Sequence, residues 1–173
     1  MDLKTLIRDV PDFPQEGILF RDITPLLAHP TGFLGAIEAL ENAASRHNPT
    51  AIVAVESRGF IFGAPMAARM GLPLVLVRKP GKLPAKRMSI EYSLEYGQNQ
   101  LDIHEDALTA MDRAFIVDDV LATGGTALAT AKLVELLGAN VAGFGFLIEL
   151  DALGGRSQLS GYAVESVVHY GPV

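Results

Sequence analysis

The feature that most constrains the fold is a strand-turn-helix pattern, FIVDDVLATGGTALATAKLVELLG, which runs from Phe115 to Gly138. An apolar run ends in Asp118 and Asp119, where a parallel strand is expected to end, and the small-residue turn 123–126 follows. A helical pattern begins there, with apolar residues at every third or fourth position. The pattern predicts a buried strand that leads into a helix through a glycine turn.

Strand patterns alternate with helical patterns along most of the chain. Strands are predicted at 51–55, 72–78, 113–119, 141–150 and 162–170, and helices at 30–47, 59–71 and 126–137. This alternation predicts an α/β fold with a central, mainly parallel sheet flanked by helices. The segment EYSLEYGQNQLDIH, residues 91–104, alternates polar and apolar residues and predicts a β-hairpin. The basic segment 79–90 before it is expected to be a mobile loop.

The N-terminal residues give weaker signals. A short amphipathic helix is predicted over 2–10, and the proline-rich segment 11–25 is expected to be extended and irregular. His29 precedes Pro30 at the start of the next helix, where Asp or Asn is the usual cap, so a weak cap is predicted.

Composition excludes several classes of protein. The 173 residues are 49% hydrophobic and 20% charged, as expected of one soluble domain. The absence of cysteine excludes disulfides and thiolate metal sites, which fits a reducing cytosol. The net charge of −6 argues against bulk nucleic-acid binding. No secretory signal and no membrane span is recognisable, so a cytoplasmic protein is expected.

Two other kinds of ligand site are excluded, a metal site built from histidines and a dinucleotide-binding site. The four histidines show no metal-ligand spacing, so no protein-built metal site is expected. The segment GFGFLI, residues 143–148, lacks the third glycine of a dinucleotide fingerprint and lies inside a predicted strand, so its glycines indicate close packing.

Polar clusters follow three of the predicted strands. They are ESRG at 56–59, RKPGK at 78–82 and DDVLATGGT at 118–126. Because the carboxyl ends of parallel strands meet at one edge of a sheet, these clusters are expected to form one ligand site.

The third cluster indicates the ligand chemistry. Glycine backbone amides and the first amides of a helix bind phosphate, and the hydroxyls of Thr123 and Thr126 add donors. Asp118 and Asp119 would repel phosphate but suit sugar hydroxyls or a magnesium ion. The cluster therefore predicts a site for a phosphorylated ribose.

The segment FIVDDVLATGGT resembles the phosphoribosyl-diphosphate motif of the type I phosphoribosyltransferases. The segments FPQEGILFRDITPLL, ESRGFIFGAPMA, VRKPGKLP and EYSLEYG are similar to those of adenine-specific members of this family. The resemblance extends from about Pro11 to the last residue. It implies one phosphoribosyltransferase domain over 1–173, with a small hood at about 11–27 and a flexible hairpin flap at about 82–97. It also implies a homodimer.

The resemblance implies a role for each matching residue. Ribose 5-phosphate would be bound by Asp118, Asp119, Ala122, Thr123, Gly124, Gly125 and Thr126. Diphosphate would be bound by Glu56, Ser57, Arg58, Gly59, Arg78 and Lys82. Adenine would be bound by Leu19, Phe20 and Arg21. The catalytic residues would be Glu95, Arg58 and Lys82, and Tyr96 would line the closed flap.

The implied reaction transfers the 5-phosphoribosyl group from phosphoribosyl diphosphate to N9 of adenine, giving AMP and diphosphate. Mg²⁺ would enter with the substrate, near Asp118 and Asp119, with no direct protein site. Two alternatives stay open. The first is another purine or orotate phosphoribosyltransferase, and the second is a regulator that binds the activated sugar without turning it over.

Overall fold

The computed structural model describes residues 1–93 and 97–171. The chain divides into two compact units, residues 1–39 and 40–173. Within the described residues, the second unit contains a five-stranded sheet, and each unit contains a two-stranded antiparallel sheet. Among these same residues, no helix has both the length and the apolar character needed to cross a bilayer.

The first unit contains a short antiparallel hairpin. Its elements are a 3₁₀ helix at Leu3–Leu6, β1 at Arg8–Pro11, β2 at Leu19–Asp22, α1 at Thr24–Leu27 and the start of α2, Pro30–Ser45. Arg8 pairs with Asp22 across the strands, and their side chains form an ion pair of 2.6 Å. The helix predicted over 2–10 is therefore wrong beyond Leu6, because β2 supplies the backbone partners of β1. The segment 11–25 likewise contains a strand.

His29 caps α2. Its Nδ1 accepts a hydrogen bond of 3.1 Å from the backbone N–H of Gly32. The prediction of a weak cap is wrong, because the unprotonated imidazole nitrogen is an acceptor and takes the place of a carboxylate or amide oxygen.

The second unit alternates strands with helices. Its strands are β3 at Ala51–Val55, β4 at Leu74–Val77, β5 at Arg87–Ser93, β6 at Gln98–His104, β7 at Arg113–Leu121, β8 at Asn140–Leu150 and β9 at Val164–Tyr170. Its helices are the end of α2, then α3 at Arg58–Met70, α4 at Gly125–Leu136 and α5 at Gly155–Gln158, with a 3₁₀ turn at Asp151–Leu153. The main sheet has the order β4-β3-β7-β8-β9, and all of its pairings are parallel, which confirms the predicted fold class.

The core is built around β3, β7 and β8. Every residue of β3 is buried, as is typical of parallel strands covered on both faces. A Cβ at Gly145 would lie 2.7 Å from the ring of Phe115, so the glycine allows β8 to pack closely against that ring. The close-packing interpretation of the GFGF segment is thus confirmed.

The hairpin predicted from the alternating pattern is present as β5 and β6. Arg87 pairs with His104 and Ser93 with Gln98, while residues 94–96 lie outside the described part of the chain. The expectation of a loop over 79–90 is wrong from Arg87 onward, because the period-two pattern extends back through Met88. Met88 is partly buried against the core of this unit.

Candidate active site

The two adjacent acids lie inside β7, which continues to Leu121 rather than ending at the acids as predicted. Asp119 is buried, and its carboxylate forms an ion pair with Nε of Arg58, the first residue of α3. The Asp118 carboxylate accepts a hydrogen bond of 2.8 Å from the Asp119 backbone N–H. The structure therefore brings the acid pair and the ESRG cluster together.

The ionisation of Asp118 is perturbed. Burial raises the pKa of the Asp118 carboxyl well above its usual value of 3.8, and the negative charge of Asp119 raises this pKa further. Hydrogen-bond donors or a cation brought by a ligand would favour the charged form of Asp118. A strongly perturbed carboxyl group is a frequent mark of a functional site.

The start of α3 is packed directly on β7. A Cβ at Gly59 would lie 2.8 Å from the Val117 carbonyl oxygen and 3.2 Å from the Asp118 carboxylate, so only glycine fits without a shift. Ser57 is the N-cap of this 13-residue helix, and the peptide bond between Glu56 and Ser57 is cis. The first amides of α3 thus lie beside the acids, at the positive end of the helix dipole.

The RKPGK cluster meets the ESRG cluster through Glu56. The Arg78 guanidinium donates to one Glu56 carboxylate oxygen at 2.7 Å, and the Lys79 backbone N–H donates to the other at 2.7 Å. Burial raises the pKa of Glu56, but these two hydrogen bonds and the charges of Arg78 and Lys82 outweigh it, so the pKa lies below its usual value. Lys82 itself is exposed.

Asp102 fixes the backbone of Arg78. The two residues exchange backbone hydrogen bonds of 3.0 and 2.8 Å, which join the end of β4 to β6. Asp102 is fully buried, and its carboxylate lies 3.3 Å from Nε of Arg87. The sequence reasoning missed Asp102, because the alternating pattern places it on the face opposite Leu101 and Ile103, and both faces of β6 are buried at this point.

The glycine turn has the geometry expected of a helix start. Gly124 has a φ of +89°, a conformation that glycine adopts without strain, and α4 begins at Gly125, one residue before the predicted start. The Tyr92 hydroxyl lies 3.1 Å from the Thr126 hydroxyl, so the hairpin contacts this turn. The turn follows directly after β7, so the chain itself places it next to the acid pair.

The other five predicted site residues come from other segments of the sequence. Leu19, Phe20 and Arg21 belong to β2 of the first unit, where Phe20 packs edge to face on Phe13 with ring centroids 5.1 Å apart. Glu95 and Tyr96 lie outside the described residues. The roles given to these five residues stay predictions.

A second polar group lies at the carboxyl ends of β8 and β9, and the sequence reasoning missed it. Glu149, Asp151 and His169 bring potential ligand atoms within 4.8 Å of one another. Both oxygens of Glu149 already accept hydrogen bonds, at 2.9 and 2.6 Å, from the guanidinium of Arg156. No spacing rule connects these residues in sequence, because they come together only through the parallel pairing of the two strands.

Comparisons with known proteins show the family of this chain. A family model described as a phosphoribosyl transferase domain matches residues 22–168. The chain is 55% identical to an adenine phosphoribosyltransferase of Synechococcus over 98% of this chain and 99% of that protein. It is 56% identical to one of Carboxydothermus hydrogenoformans, over 98% of this chain and all of that protein.

Solved structures give the same result. The crystal structure of adenine phosphoribosyltransferase from Thermoanaerobacter pseudethanolicus is similar with a TM-score of 0.95 and 51% identity, and 98% of each chain is covered. The enzyme from Saccharomyces cerevisiae, crystallised with an imino-altritol bisphosphate and adenine, is similar with a TM-score of 0.90 and 42% identity, over 96% of each chain.

Proposed function

The chain belongs to the adenine phosphoribosyltransferase family, and on that premise we propose that it carries out purine salvage at the edge where β3, β4 and β7 end. It transfers the 5-phosphoribosyl group of phosphoribosyl diphosphate to N9 of adenine, and AMP and diphosphate are the products. The observation that carries this proposal is the contact of the acid pair with the start of α3, through the Arg58–Asp119 ion pair and the close approach of Gly59 to Asp118.

The turn 122–126 binds the 5′-phosphate in this proposal. Its backbone amides and the first amides of α4 are donors with no partner inside the helix, and they lie at the positive end of the helix dipole. Asp118 and Asp119 accept hydrogen bonds from the ribose hydroxyls. A sugar bound at both ends is held in one orientation, which lowers the entropic part of the barrier.

The diphosphate lies at the start of α3 and beside the cations of the RKPGK cluster. Ser57, Arg58 and Gly59 supply donors there, and Arg78 and Lys82 supply positive charge. When the bond between C1 and the diphosphate oxygen breaks, its electron pair stays on the diphosphate. Fixed cations stabilise that growing negative charge more in the transition state than in the ground state, which accelerates the reaction.

The base completes the reaction. N9 of adenine attacks C1 as the diphosphate departs, and the N9 proton passes to the Glu95 carboxylate. Leu19, Phe20 and Arg21 bind the base through ring stacking and backbone hydrogen bonds. Closure of the flap segment 82–97, with Tyr96 lining it, excludes the water that would hydrolyse the activated sugar.

Magnesium fits the donor set of this site. Asp118 and Asp119 offer carboxylate oxygens, which hard cations prefer, and a cation near them would favour the charged form of Asp118, whose pKa is raised by burial and by the charge of Asp119. When it enters with the substrate, the ion would neutralise part of the negative charge of the diphosphate. The turn 122–126 and the start of α3 bind and orient the substrate.

The proposal extends to the organisation of the protein. Residues 1–173 act as one phosphoribosyltransferase domain, with the hood at about 11–27, in a cytoplasmic homodimer, as the family resemblance implies. Sedimentation at micromolar concentration measures the dimer directly, and a monomer that is fully active would refute that part.

An AMP-forming assay tests the activity. Adenine, guanine, hypoxanthine, xanthine and orotate are each supplied with phosphoribosyl diphosphate, with and without magnesium. Turnover with adenine in the presence of magnesium is expected. Preference for another base would replace the proposal with a different phosphoribosyltransferase, and tight binding of phosphoribosyl diphosphate without any turnover would indicate a regulator.

The double variant Asp118→Asn, Asp119→Asn tests the site. Its kcat/KM with adenine is expected to fall by at least about 100-fold. The asparagine side-chain oxygens accept hydrogen bonds from sugar hydroxyls more weakly than carboxylates do, and they carry no charge. Asp106→Asn is the matched control, since this carboxylate is exposed and lies in the turn after β6. Wild-type turnover by the double variant would show that the role given to the acid pair is wrong.

A further inference from the structure

Arg156 holds a buried carboxylate with both arms of its guanidinium. Its Nε and a terminal nitrogen donate to the two oxygens of Glu149 at 2.9 and 2.6 Å, and Glu149 is 4% exposed. Ser166 donates a further hydrogen bond of 2.6 Å to Glu149. Burial raises the pKa of Glu149, but these hydrogen bonds outweigh it and lower the pKa. A bidentate pair of this kind fixes orientation as well as distance.

Arg156 belongs to α5, and α5 is packed against the glycine turn, backbone to backbone. A Cβ at Gly155 would lie 2.9 Å from Leu121 and would overlap the carbonyl oxygen of Ala122. A Cβ at Gly124 would lie 2.7 Å from the Gly155 carbonyl oxygen and 2.9 Å from Gln158. The turn therefore cannot shift toward α5 unless α5 moves as well.

The pairing of the strands also connects Glu149 and Arg156 to the turn. Glu149 on β8 pairs with Leu121, the residue that directly precedes Ala122 and the turn. Arg156 also donates to the Val164 carbonyl oxygen at 2.8 Å, which ties α5 to the start of β9. The position of α5 is thus set by two strands of the sheet, through one arginine side chain.

We propose that Glu149 and Arg156 are positioning residues for the phosphate-binding turn 122–126. They fix α5, and α5 in turn fixes the direction of the backbone amides that hold the 5′-phosphate. This inference rests on the proposed function of the turn. Asp151 and His169 lie near Glu149, but both Glu149 oxygens already accept hydrogen bonds, Oε1 from Arg156 and Oε2 from Arg156 and Ser166. The pair with Arg156 therefore accounts for the group better than a cation site does.

The test compares Arg156→Lys and Glu149→Gln with a matched pair elsewhere in the second unit. Lysine keeps the charge but cannot donate two parallel hydrogen bonds. Arg69 and Glu41 form a similar bidentate pair, at 2.5 and 3.2 Å, in the last turn of α3, so Arg69→Lys and Glu41→Gln are the controls. Calorimetry measures the Kd of ribose 5-phosphate, and kinetics measures KM for each substrate.

In Arg156→Lys and Glu149→Gln, the Kd of ribose 5-phosphate and the KM of phosphoribosyl diphosphate are expected to rise about tenfold, since a small misplacement of binding groups is costly. In the same two variants, the KM of adenine is expected to stay within about twofold of wild type. In the control variants, the Kd of ribose 5-phosphate and both KM values are expected to stay within about twofold of wild type. Equal changes for both substrates, or equal changes in the controls, would overturn the inference as a general loss of stability. If Arg156→Lys does not fold, Glu149→Gln decides.

The two proposals fail in different ways. A wild-type chain that binds ribose 5-phosphate but forms no AMP refutes the proposed function, and the titrations still decide the role of Glu149 and Arg156. A wild-type chain that binds no ribose 5-phosphate overturns the positioning inference as well.

Discussion

The Tyr92 hydroxyl lies 3.1 Å from the Thr126 hydroxyl, so strand β5 of the hairpin contacts the first turn of α4. Tyr92 is partly buried against the same core as α4. A threonine hydroxyl donates one hydrogen bond and accepts two, so it can accept from Tyr92 while donating to a phosphate. The hairpin that carries the proposed flap is therefore connected to the phosphate-binding turn.

Replacing this tyrosine by Tyr92→Phe tests that connection. The KM of phosphoribosyl diphosphate is expected to rise about threefold, because a single hydrogen bond contributes roughly 0.5–1.5 kcal/mol. Tyr162→Phe is the control, since its hydroxyl donates a hydrogen bond of 2.7 Å to Glu135 instead. Identical kinetics for the two variants would contradict a special role for Tyr92.

The raised pKa of Asp118 predicts a dependence of stability on pH. Between the usual carboxyl value of 3.8 and the higher value in the folded chain, the folded state binds more protons than the unfolded state. The free energy of unfolding contributed by this group therefore falls as the pH rises through that window. Urea titrations of wild type and Asp118→Asn across this range measure the difference.

Without ligand, Asp118→Asn is expected to be the more stable protein at neutral pH, and its advantage is expected to grow with pH until Asp118 is fully ionised. The physical reason is that asparagine removes a partly buried charge next to Asp119. Asp106→Asn, at an exposed carboxylate, is the control variant. A variant that loses stability at neutral pH would show that the Asp118 charge is stabilised in the ligand-free protein.

The close approach of α3 to β7 predicts the effect of Gly59→Ala. The new methyl group would lie 2.8 Å from the Val117 carbonyl oxygen, so the start of α3 must shift. A loss of about 1–3 kcal/mol in the free energy of unfolding is expected, together with weaker diphosphate binding. Thermal unfolding and diphosphate titration measure the two effects.

Gly35→Ala is the matched control, because the nearest atom to its new methyl group is 3.8 Å away, in Leu3. In the interior of α2 this change is expected to stabilise the protein by about 0.5–1 kcal/mol, since alanine favours the helix. If Gly59→Ala behaves like Gly35→Ala, the packing of α3 on β7 is not a constraint.

The parts predicted well are those with strong local patterns. The apolar run of β3, the strand before the glycine turn and the helix after it follow from periodicity alone, and the resemblance of the 118–126 segment gave the family. The errors lie where a distant partner decided the structure. Arg8 to Pro11 became a strand because β2 pairs with them, and β5 began at Arg87 because its alternate side chains pack on the core.

The sequence by itself determined the α/β class, the family and the acid-turn-helix segment. Each of these depends on residues close together in the sequence, whose spacing follows the strand and helix repeats. Only the tertiary structure decided that Arg58 pairs with Asp119, that Asp102 lies buried beside Arg78, and that Arg156 holds Glu149. These pairs join residues from separate strands and helices, and the residues meet only when those elements pack together in the folded chain.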